Sequence, residues 1–525
     1  MVLQISPALP PGFTGSEFDQ VLYDLRRLVG DANVLTGSDL GNHLDPYSFS
    51  DGDPYTPSAA VLPSSVEEIQ AILAVANQHR IPLWTVSRGR NFGYGGASPR
   101  VAGSIIVDLN RMNQVLEVDE EAGYALVEPG VSFSALHEHL RSTGSSLWVS
   151  VPDLSWGSLT GNALERGFGY TAHGDHSAFI CGMEVVLADG RVVRTGMGAM
   201  TGNSAWQMYK GGFGPSLDGL FLQSNYGIVT KMGVWLMPAP EHAIVCSAQA
   251  RNEDDLAAVI DTLRPLLLDG TISTNSMVGN ALAVASMITD RHLWYDGPGP
   301  MPDEAIRRIC DELHLGWWNA RFAVYGTPKV AQAKVEVIRQ AFEKIPGLEF
   351  IARTYPGNPV PDQVHPADRA QLGVPSTDLI RMAGWRGGEP AHTDFSLVCP
   401  PKGADAVKQM RLIRARVEEH GFDYAGGFTT FPRHAIALAL LSFDKSDPEQ
   451  TARVGQLFQE LIADAGPAGY APYRSHIAFM DTIADRYDFN NHAARSLQET
   501  IKDAVDPNGI LSPGKQGIWN AGRRP

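Results

Sequence analysis

The chain has 525 residues, more than one ordinary hydrophobic core holds, so two domains are expected. Its hydrophobic content of 44% and charged content of 19% are typical of a folded globular protein and argue against a disordered one. The formal net charge of -16 argues against a nucleic acid or an anionic membrane as partner, because each requires a basic surface.

The four cysteines, Cys181, Cys246, Cys310 and Cys399, lie far apart, which excludes a CxxC site, and we expect four reduced thiols. The first residues show no basic segment followed by an apolar one, so no signal peptide is predicted. No run of about 18 apolar residues occurs that could span a membrane. The sequence therefore predicts a cytoplasmic protein.

The predicted elements begin with a helix over residues 16–29, in which Ser16 is expected to cap the N-terminus. A second helix begins at Ser65, where Glu68 completes a capping box, and it leads to a strand that ends at Ser87. The elements that follow are strands over 104–110 and 123–130 and a helix over 132–142.

A hairpin is predicted over 183–196, where two β-branched runs flank Asp189-Gly190, a pair typical of a type I′ turn. A strand over 227–238 ends this block, and longer amphipathic helices over 330–345 and 404–420 follow it. Together these elements predict an α+β fold. The predicted division is a first domain over 1–238, with its core at about 55–238, a second over 239–465, and a segment over 466–525 that returns to the first.

The segment SRGRNFGYGG, residues 87–96, follows a predicted strand directly. Its four glycines allow a tight turn that presents backbone N–H groups to an anion, as a phosphate-binding nest does. It is not a Walker loop, because no GK[ST] follows, and no long helix opens after it as a dinucleotide fingerprint requires. By spacing alone, a glycine-rich surface loop remains an equal alternative.

A second segment, VPDLSWGSLTGNALERGFGYTAHGDH at 151–176, is rich in residues that donate hydrogen bonds to a cofactor. Together with QSNYGIVTKMG at 223–233 and NGILSPGK near the end, in this order, the chain resembles the vanillyl-alcohol oxidase and 4-cresol dehydrogenase flavoproteins. Within that family it is most similar to the eugenol oxidase and 4-alkylphenol oxidase branch. The resemblance implies a PCMH-type FAD-binding domain and a cap domain that shapes the substrate pocket.

The resemblance also implies covalent FAD. In AHTDFSLV, His392 stands where the family's tethering histidine lies, three residues before a Phe-Ser pair. The other residues that match cofactor-binding positions are Ser87, Gly89, Arg90, Asn91, Phe92, Gly93, Gly95, Gly96, Pro152, Asp153, Gly157, Ser158, Gly161, Asn162, Tyr170, Gly174, Gly227, Ile228, Val229, Arg474 and Lys515.

By the same resemblance, Tyr94, Tyr473 and Arg474 match three residues that hold a substrate's phenol oxygen as phenolate. A free phenol, with a pKa of about 10, is neutral at pH 7, and a guanidinium with two hydroxyl donors favours its anion. Electron release from that oxygen expels a hydride from the benzylic carbon toward flavin N5 and leaves a quinone methide. Asp153 matches the catalytic acid beside that carbon, and Tyr170 an active-site tyrosine.

The predicted substrate pocket contains Leu379, Asp394, Ser396, Gly427 and Thr429. Leu379 stands where the family often has a glutamate, which favours alkyl side chains over polar alcohols. Gly427 replaces the glutamine of eugenol oxidase and is expected to leave room for a larger substrate. The histidines and aspartate of residues 173–176 are read as part of a cofactor loop, so no metal is predicted.

Three functions stay open. An oxidase would return the electrons to O₂ and release hydrogen peroxide. A dehydrogenase would pass them to a cytochrome or another acceptor, although 4-cresol dehydrogenase carries a tyrosine tether. A flavin-binding carrier or sensor would not turn over at all. The resemblance further implies a homodimer.

Overall fold

A computed structural model describes residues 8–49 and 54–524. The first sheet combines three parallel strands with one antiparallel edge strand, in the order β1-β2-β4-β3. Its strands and the helices packed on it are α1 (Gly15–Val29), β1 (Val34–Leu35), β2 (Ala59–Val61), α2 (Val66–His79), β3 (Leu83–Val86) and β4 (Ile105–Asp108). Strand β4 is apolar and buried throughout, as expected for a parallel strand covered on both faces.

The second sheet is antiparallel, in the order β5-β6-β10-β8-β9, and shares the first lobe of the molecule. The elements of this part are β5 (Val115–Asp119), β6 (Tyr124–Val127), α3 (Phe133–Ser142), β7 (Leu147–Trp148), α4 (Leu159–Leu164), β8 (Ile180–Leu187), β9 (Val192–Arg194), β10 (Gly227–Trp235) and β11 (Met237–Pro238). Strands β7 and β11 pair separately as a two-stranded sheet. The loops around α4 reach the boundary with the second lobe.

The second lobe is an eight-stranded sheet, in the order β15-β12-β14-β13-β17-β18-β16-β19. Its elements are β12 (His242–Ala250), α5 (Leu256–Leu268), β13 (Ser276–Asn280), α6 (Ala281–Ala285), α7 (Asp303–Leu313), β14 (Trp318–Gly326), α8 (Pro328–Phe342), β15 (Glu349–Pro356), β16 (Pro390–Cys399), α9 (Gly403–Glu419), β17 (Ala425–Thr430), β18 (Ala435–Asp444), α10 (Pro448–Ala468) and β19 (Ala471–Pro472). Its helices contribute with the sheet to one large apolar core, while side chains of β13, β16, β17 and β18 line a cavity toward the first lobe.

The C-terminal part contains α11 (Met480–Ala484) and α12 (Phe489–Val505) and then returns to the first sheet. The backbone around Leu511 runs beside Leu83 of β3: Leu83 N–H donates to Ile510 O at 2.7 Å, and Ser512 N–H donates to Leu83 O at 2.8 Å. The buried ammonium of Lys502 donates to Leu511 O and pairs with Asp506, both at 2.7 Å. The chain end is thereby part of the first lobe.

Three local expectations from the sequence need correction. The side chain of Thr14, rather than Ser16, accepts a hydrogen bond from Glu17 N–H at the start of α1. At α2, Ser65 caps as expected, but the Glu68 carboxylate accepts from Ser64 N–H, so the capping box is not closed.

The β8–β9 hairpin forms as predicted, but its turn is not of type I′. Gly190 has a φ of 83°, whereas Asp189 keeps a negative φ, and a type I′ turn requires both to be positive. Within the residues that the structure describes, no helix combines the length and apolar content needed to cross a bilayer.

Candidate active site

A cavity of about 420 Å³ lies between the two lobes. The first lobe contributes loops after β3 and before α4 and the start of β10, and the C-terminal tail contributes residues near 511–516. The second lobe contributes side chains from one end of its sheet. Polar groups from distant stretches of the chain therefore face one cavity.

The glycine-rich loop after β3 forms one wall of this cavity. Of its predicted residues, Ser87, Gly93 and Gly96 line the cavity, as do all of 89–92. Gly95 does not line the cavity. A glycine is needed there because its φ is 101° and a Cβ would lie 2.8 Å from Ile477. Arg88, which also lines the cavity, holds the loop in place, because its guanidinium donates to the carbonyls of Trp156 and Gly130 at 3.0 Å each.

The segment over 151–176 forms the facing wall. Its predicted residues Pro152, Asp153, Gly157, Ser158, Gly161, Asn162 and Tyr170 all line the cavity. A Cβ at Gly161 would lie 2.4 Å from Ser87 Oγ, so the two walls meet at this glycine. Gly174 lies outside the cavity lining and packs against the carbonyl of Gly169.

The histidines of this segment are held by hydrogen bonds and ring stacking. His176 is buried between Asn162 Oδ1 at 2.6 Å and Ser150 Oγ at 3.1 Å, and burial lowers its pKa to about 4. His173 stacks on Phe179 with ring centroids 4.0 Å apart. Over residues 8–49 and 54–524, no group of three or more potential ligands is arranged for a metal ion.

Strand β10 and the C-terminal tail complete the cofactor side of the cavity. Gly227, Ile228, Val229 and Lys515 all line it, and Lys515 Nζ pairs with Glu165 Oε1 at 2.6 Å. Two further cavity residues, Trp156 and Thr160, each carry a buried side-chain donor, Nε1 and Oγ1, that finds no hydrogen-bond partner within residues 8–49 and 54–524. Buried polar atoms are normally satisfied, so these donors indicate a polar ligand in this part of the cavity.

Tyr94, Tyr473 and Arg474 converge at one place. Arg474 Nη2 donates to Tyr94 Oη at 3.2 Å, and its guanidinium carbon lies 4.5 Å from the centre of the Tyr94 ring and 5.4 Å from that of Tyr473. Tyr473 Oη and Arg474 Nε are buried, and neither has a hydrogen-bond partner in the part of the chain that the structure describes. Tyr473 itself is absent from the cavity lining, although Tyr94 and Arg474 belong to it.

The electrostatics of these groups favour an anion. Burial raises the pKa of Tyr94, against the effect of the Arg474 charge, and burial also raises the pKa of Tyr473. Both hydroxyls therefore remain protonated at neutral pH. Because Arg474 donates to the oxygen of Tyr94, the Tyr94 proton is free to point at a ligand.

Asp153 and Tyr170 form the second polar group. The Tyr170 hydroxyl donates to Asp153 Oδ2. Burial raises the pKa of Asp153 to about 6, the Tyr170 hydrogen bond acts against this rise, and the charge of Asp394 adds to it. A carboxyl with such a pKa changes protonation close to neutrality, which suits proton transfer.

His392 and Asp394 project from β16 into the cavity on the same face of the strand. His392 Nδ1 is buried, has no hydrogen-bond partner among the described residues, and lies 3.5 Å from Asp394 Oδ1. The ring of Tyr47 covers the imidazole, with centroids 5.1 Å apart. The strand is held to the glycine-rich loop, because Thr393 Oγ1 donates to Gly93 O at 2.9 Å.

The predicted substrate-pocket residues divide into two groups. Leu379, Asp394 and Gly427 line the cavity, whereas Ser396 and Thr429 do not. Ser396 and Thr429 are fully buried, and their hydroxyls make no hydrogen bond to any residue that the structure describes.

Gly427 is a glycine for a different reason than expected. A Cβ there would lie 2.0 Å from Val278 O on the neighbouring strand β13, so the space of a side chain is filled by backbone. The expectation that Gly427 leaves room for a larger substrate is therefore wrong. The close approach of strands β13 and β17, rather than pocket volume, explains why residue 427 is a glycine.

We expect Gly427→Ala to lower the free energy of unfolding by about 1–3 kcal/mol, the usual cost of overpacking. Its cross-strand partner offers a matched control, because a Cβ at Gly279 would meet only side-chain atoms at 3.6 Å and beyond. Thermal unfolding of both variants checks the prediction. Equal unfolding temperatures for the two would contradict it.

Several cavity residues were not anticipated from the sequence. Tyr47 and Trp156 lie beside His392 and the glycine-rich loop, and Met277, Phe428, Leu438 and Leu440 supply apolar surface. The four apolar residues lie in strand patterns that look like any sheet core, so the sequence offers no signal for them.

Two family models match the chain. Residues 57–196 match the family model of the FAD binding domain, and residues 322–516 match that of the C-terminal domain of FAD linked oxidases. The 4-cresol dehydrogenase [hydroxylating] flavoprotein subunit of Pseudomonas putida is 37% identical over 98% of both chains.

Two solved structures superpose over nearly the whole chain. The 4-ethylphenol oxidase from Gulosibacter chungangensis, in complex with isoeugenol, is 38% identical with a TM-score of 0.93 and covers 98% of this chain and 100% of its own. Substrate-bound p-cresol methylhydroxylase is 36% identical with a TM-score of 0.92, covering 98% and 99%.

The fold and the site define an FAD-linked oxidoreductase. The chain belongs to the vanillyl-alcohol oxidase and 4-cresol dehydrogenase family of flavoproteins. Its residues fit the FAD of that family, since the glycine-lined cleft and the unsatisfied donors of Trp156 and Thr160 provide a cradle with hydrogen bonds to offer.

Proposed function

We propose that this protein oxidises para-substituted phenols, such as 4-alkylphenols and eugenol-like or vanillyl-alcohol-like compounds, at the benzylic carbon. The observation that carries the proposal is the convergence of Tyr94, Tyr473 and Arg474. Tyr94 and Arg474 line the cavity, and Tyr473 Oη and Arg474 Nε are buried donors without a partner among the described residues. A phenol oxygen is the ligand that fits three such donors. The names of two similar solved structures, an ethylphenol oxidase and a cresol methylhydroxylase, support this substrate class.

The three residues bind the phenol as its anion. Arg474 supplies a fixed positive charge, and the two tyrosine hydroxyls donate hydrogen bonds that a phenolate accepts more strongly than a neutral phenol. The negative charge on the ring oxygen weakens the C–H bonds of the para side chain by resonance. Loss of a hydride then leaves a quinone methide, which is electrophilic at the benzylic carbon.

Asp153 acts on the same carbon in this proposal. Its carboxylate stabilises positive character at the benzylic position and accepts a proton from water that adds to the quinone methide. Tyr170 orients the carboxylate through its hydrogen bond. Where water does not add, loss of a proton from the side chain yields an alkene instead.

The cofactor in this proposal is FAD. It is held by the glycine-rich loop, the segment over 151–176, strand β10 and the C-terminal tail, and is tethered through His392. When bound, FAD supplies the two-electron acceptor for the hydride. We propose dioxygen as the final acceptor, with release of hydrogen peroxide. A dehydrogenase that passes electrons to a cytochrome or a similar acceptor is the second candidate, because the relative from Pseudomonas putida is named as a dehydrogenase flavoprotein subunit.

A carrier or sensor without turnover is disfavoured, because a pure flavin-binding protein needs neither the phenolate clamp nor a carboxyl with a pKa of about 6. A homodimer and a cytoplasmic location stay predictions of the sequence.

The proposal is tested by mixing the purified yellow protein with 4-ethylphenol or eugenol in the absence of oxygen. We expect the flavin absorbance to bleach, and to return with stoichiometric hydrogen peroxide when air is admitted. Bleaching with slow recovery in air would support the dehydrogenase instead. No bleaching with any para-substituted phenol would reject phenol oxidation.

The tether gives a separate prediction. Acid precipitation of the wild-type protein should leave the yellow colour in the pellet, whereas His392→Ala should release all of its FAD and oxidise phenols more slowly. Flavin fluorescence in a denaturing gel measures this directly. Acid-stable flavin in His392→Ala would show that another residue carries the bond.

A further inference from the structure

Asp394 places a carboxylate beside the proposed tether. Its Oδ1 lies 3.5 Å from His392 Nδ1, and both side chains face the cavity from the same strand. That nitrogen is buried and has no hydrogen-bond partner within the part of the chain that the structure describes.

This neighbour decides which nitrogen of His392 is protonated. A neutral imidazole carries one N–H, and a carboxylate facing one ring nitrogen favours the proton on that atom. With the proton on Nδ1, the lone pair that can form a bond is on Nε2. In metal sites, a carboxylate that accepts from the other ring nitrogen orients the histidine in the same way.

A carboxylate here also has a cost for phenol oxidation. Burial raises the pKa of Tyr94 and of Asp153, and the charge of Asp394 raises both further. It thus opposes the binding of a phenolate close by. Asp394 therefore works against substrate binding, and its position beside His392 indicates a role toward the cofactor.

We propose that Asp394 is a positioning residue for covalent attachment of FAD: it holds the proton of His392 on Nδ1 and accepts it as Nε2 forms the bond. This inference rests on the tether of the proposed function. The step forms one bond from Nε2 to a ring methyl carbon and breaks one C–H bond of that methyl group. The methyl proton goes to solvent and the Nδ1 proton to Asp394. The electron pair of the C–H bond reduces the ring, and dioxygen then accepts that pair with two protons as hydrogen peroxide.

The glycine-rich loop keeps this pair in place. A Cβ at Gly93 would lie 2.8 Å from His392 Cε1 and 2.9 Å from Asp394 Oδ2, so only glycine allows both side chains to lie against the loop. The hydrogen bond from Thr393 to Gly93 holds the strand at this distance. Nδ1 is the ring nitrogen that lies toward Gly93 and Asp394, which leaves Nε2 for the bond.

The test follows covalent incorporation over time. Wild type, Asp394→Asn, Asp394→Glu and the control Asp290→Asn are purified and incubated in air with FAD. Asp290 forms a half-exposed ion pair with Arg381 and lies outside the cavity lining. At each time, acid-stable and acid-released flavin are measured separately in the same sample.

We expect Asp394→Asn to bind as much total FAD as wild type but to attach it about 100-fold more slowly, the lower range for loss of a general base. Asp394→Glu should recover part of the rate, and Asp290→Asn should match wild type. Attachment by Asp394→Asn at the wild-type rate would overturn the proposal. So would an equal loss of total FAD, because Asp394 would then serve cofactor binding or folding. Acid-released flavin in wild type would instead reject the tether, while phenol bleaching tests the proposed reaction independently.

Discussion

Replacing Arg474 with alanine is expected to lower kcat/KM for 4-ethylphenol by about 30- to 4,000-fold, which corresponds to the ~2–5 kcal/mol lost when one partner of a buried charged hydrogen bond is removed. The guanidinium is the charged member of the group that we propose binds the phenolate, and it lies between the rings of Tyr94 and Tyr473. Without it, the buried hydroxyls alone must hold an anion. Steady-state peroxide or flavin-bleaching rates measure the effect.

Arg474→Lys is the matched control. Lysine keeps the charge but lacks the planar fork of donors, so an intermediate kcat/KM is expected. Difference absorbance of a bound, unreactive phenol shows whether the ligand is ionised. A phenolate band that persists in Arg474→Ala would contradict the assigned role.

Asp153→Asn should reduce turnover by about 10²- to 10⁴-fold, the range for loss of a positioned general base. The wild-type pH dependence should report the same group. Since the pKa of Asp153 is raised by burial to about 6, its carboxylate form is lost as the pH falls through 6, and kcat/KM should fall with it. The variant should lack this acid limb. An acid limb that survives the substitution belongs to another group.

The same substitution should stabilise the fold at pH 8. A carboxyl whose pKa is higher in the folded than in the unfolded state binds its proton more tightly when folded, so folding is favoured below about pH 4 and this benefit is lost as the pH rises through 6. Asparagine removes the buried charge. Thermal unfolding at pH 8 and pH 4 should show a gain only at the higher pH, and a lower unfolding temperature at pH 8 would contradict the assigned burial.

The fold class and family were accessible from the sequence because they depend on local patterns. The apolar run of β4 and the two β-branched runs of β8 and β9 predict strands that the structure contains. Details that depend on contacts between distant segments were not accessible. The prediction of a type I′ turn was wrong because the backbone reverses within Leu187–Gly190, where only Gly190 needs a positive φ.

The candidate site shows the same division. Tyr94 and Arg474 are 380 residues apart, so nothing but a family pattern could have joined them before the structure brought them to 3.2 Å. Gly427 was misread because its neighbour Val278 lies on another strand. The pairing of His392 with Asp394 was not predicted, because it depends on strand β16 and on a buried Nδ1 that has no partner among the described residues.

The return of the C-terminal tail to β3 has a consequence for biosynthesis. Leu511, Ser512 and Lys515 form part of the cavity wall, and residues near 511 complete the edge of the first sheet. A nascent chain in which these residues have not yet been made lacks this wall, even when the strands of the first lobe are complete. We therefore expect coenzyme capture to follow the synthesis of residues 511–515.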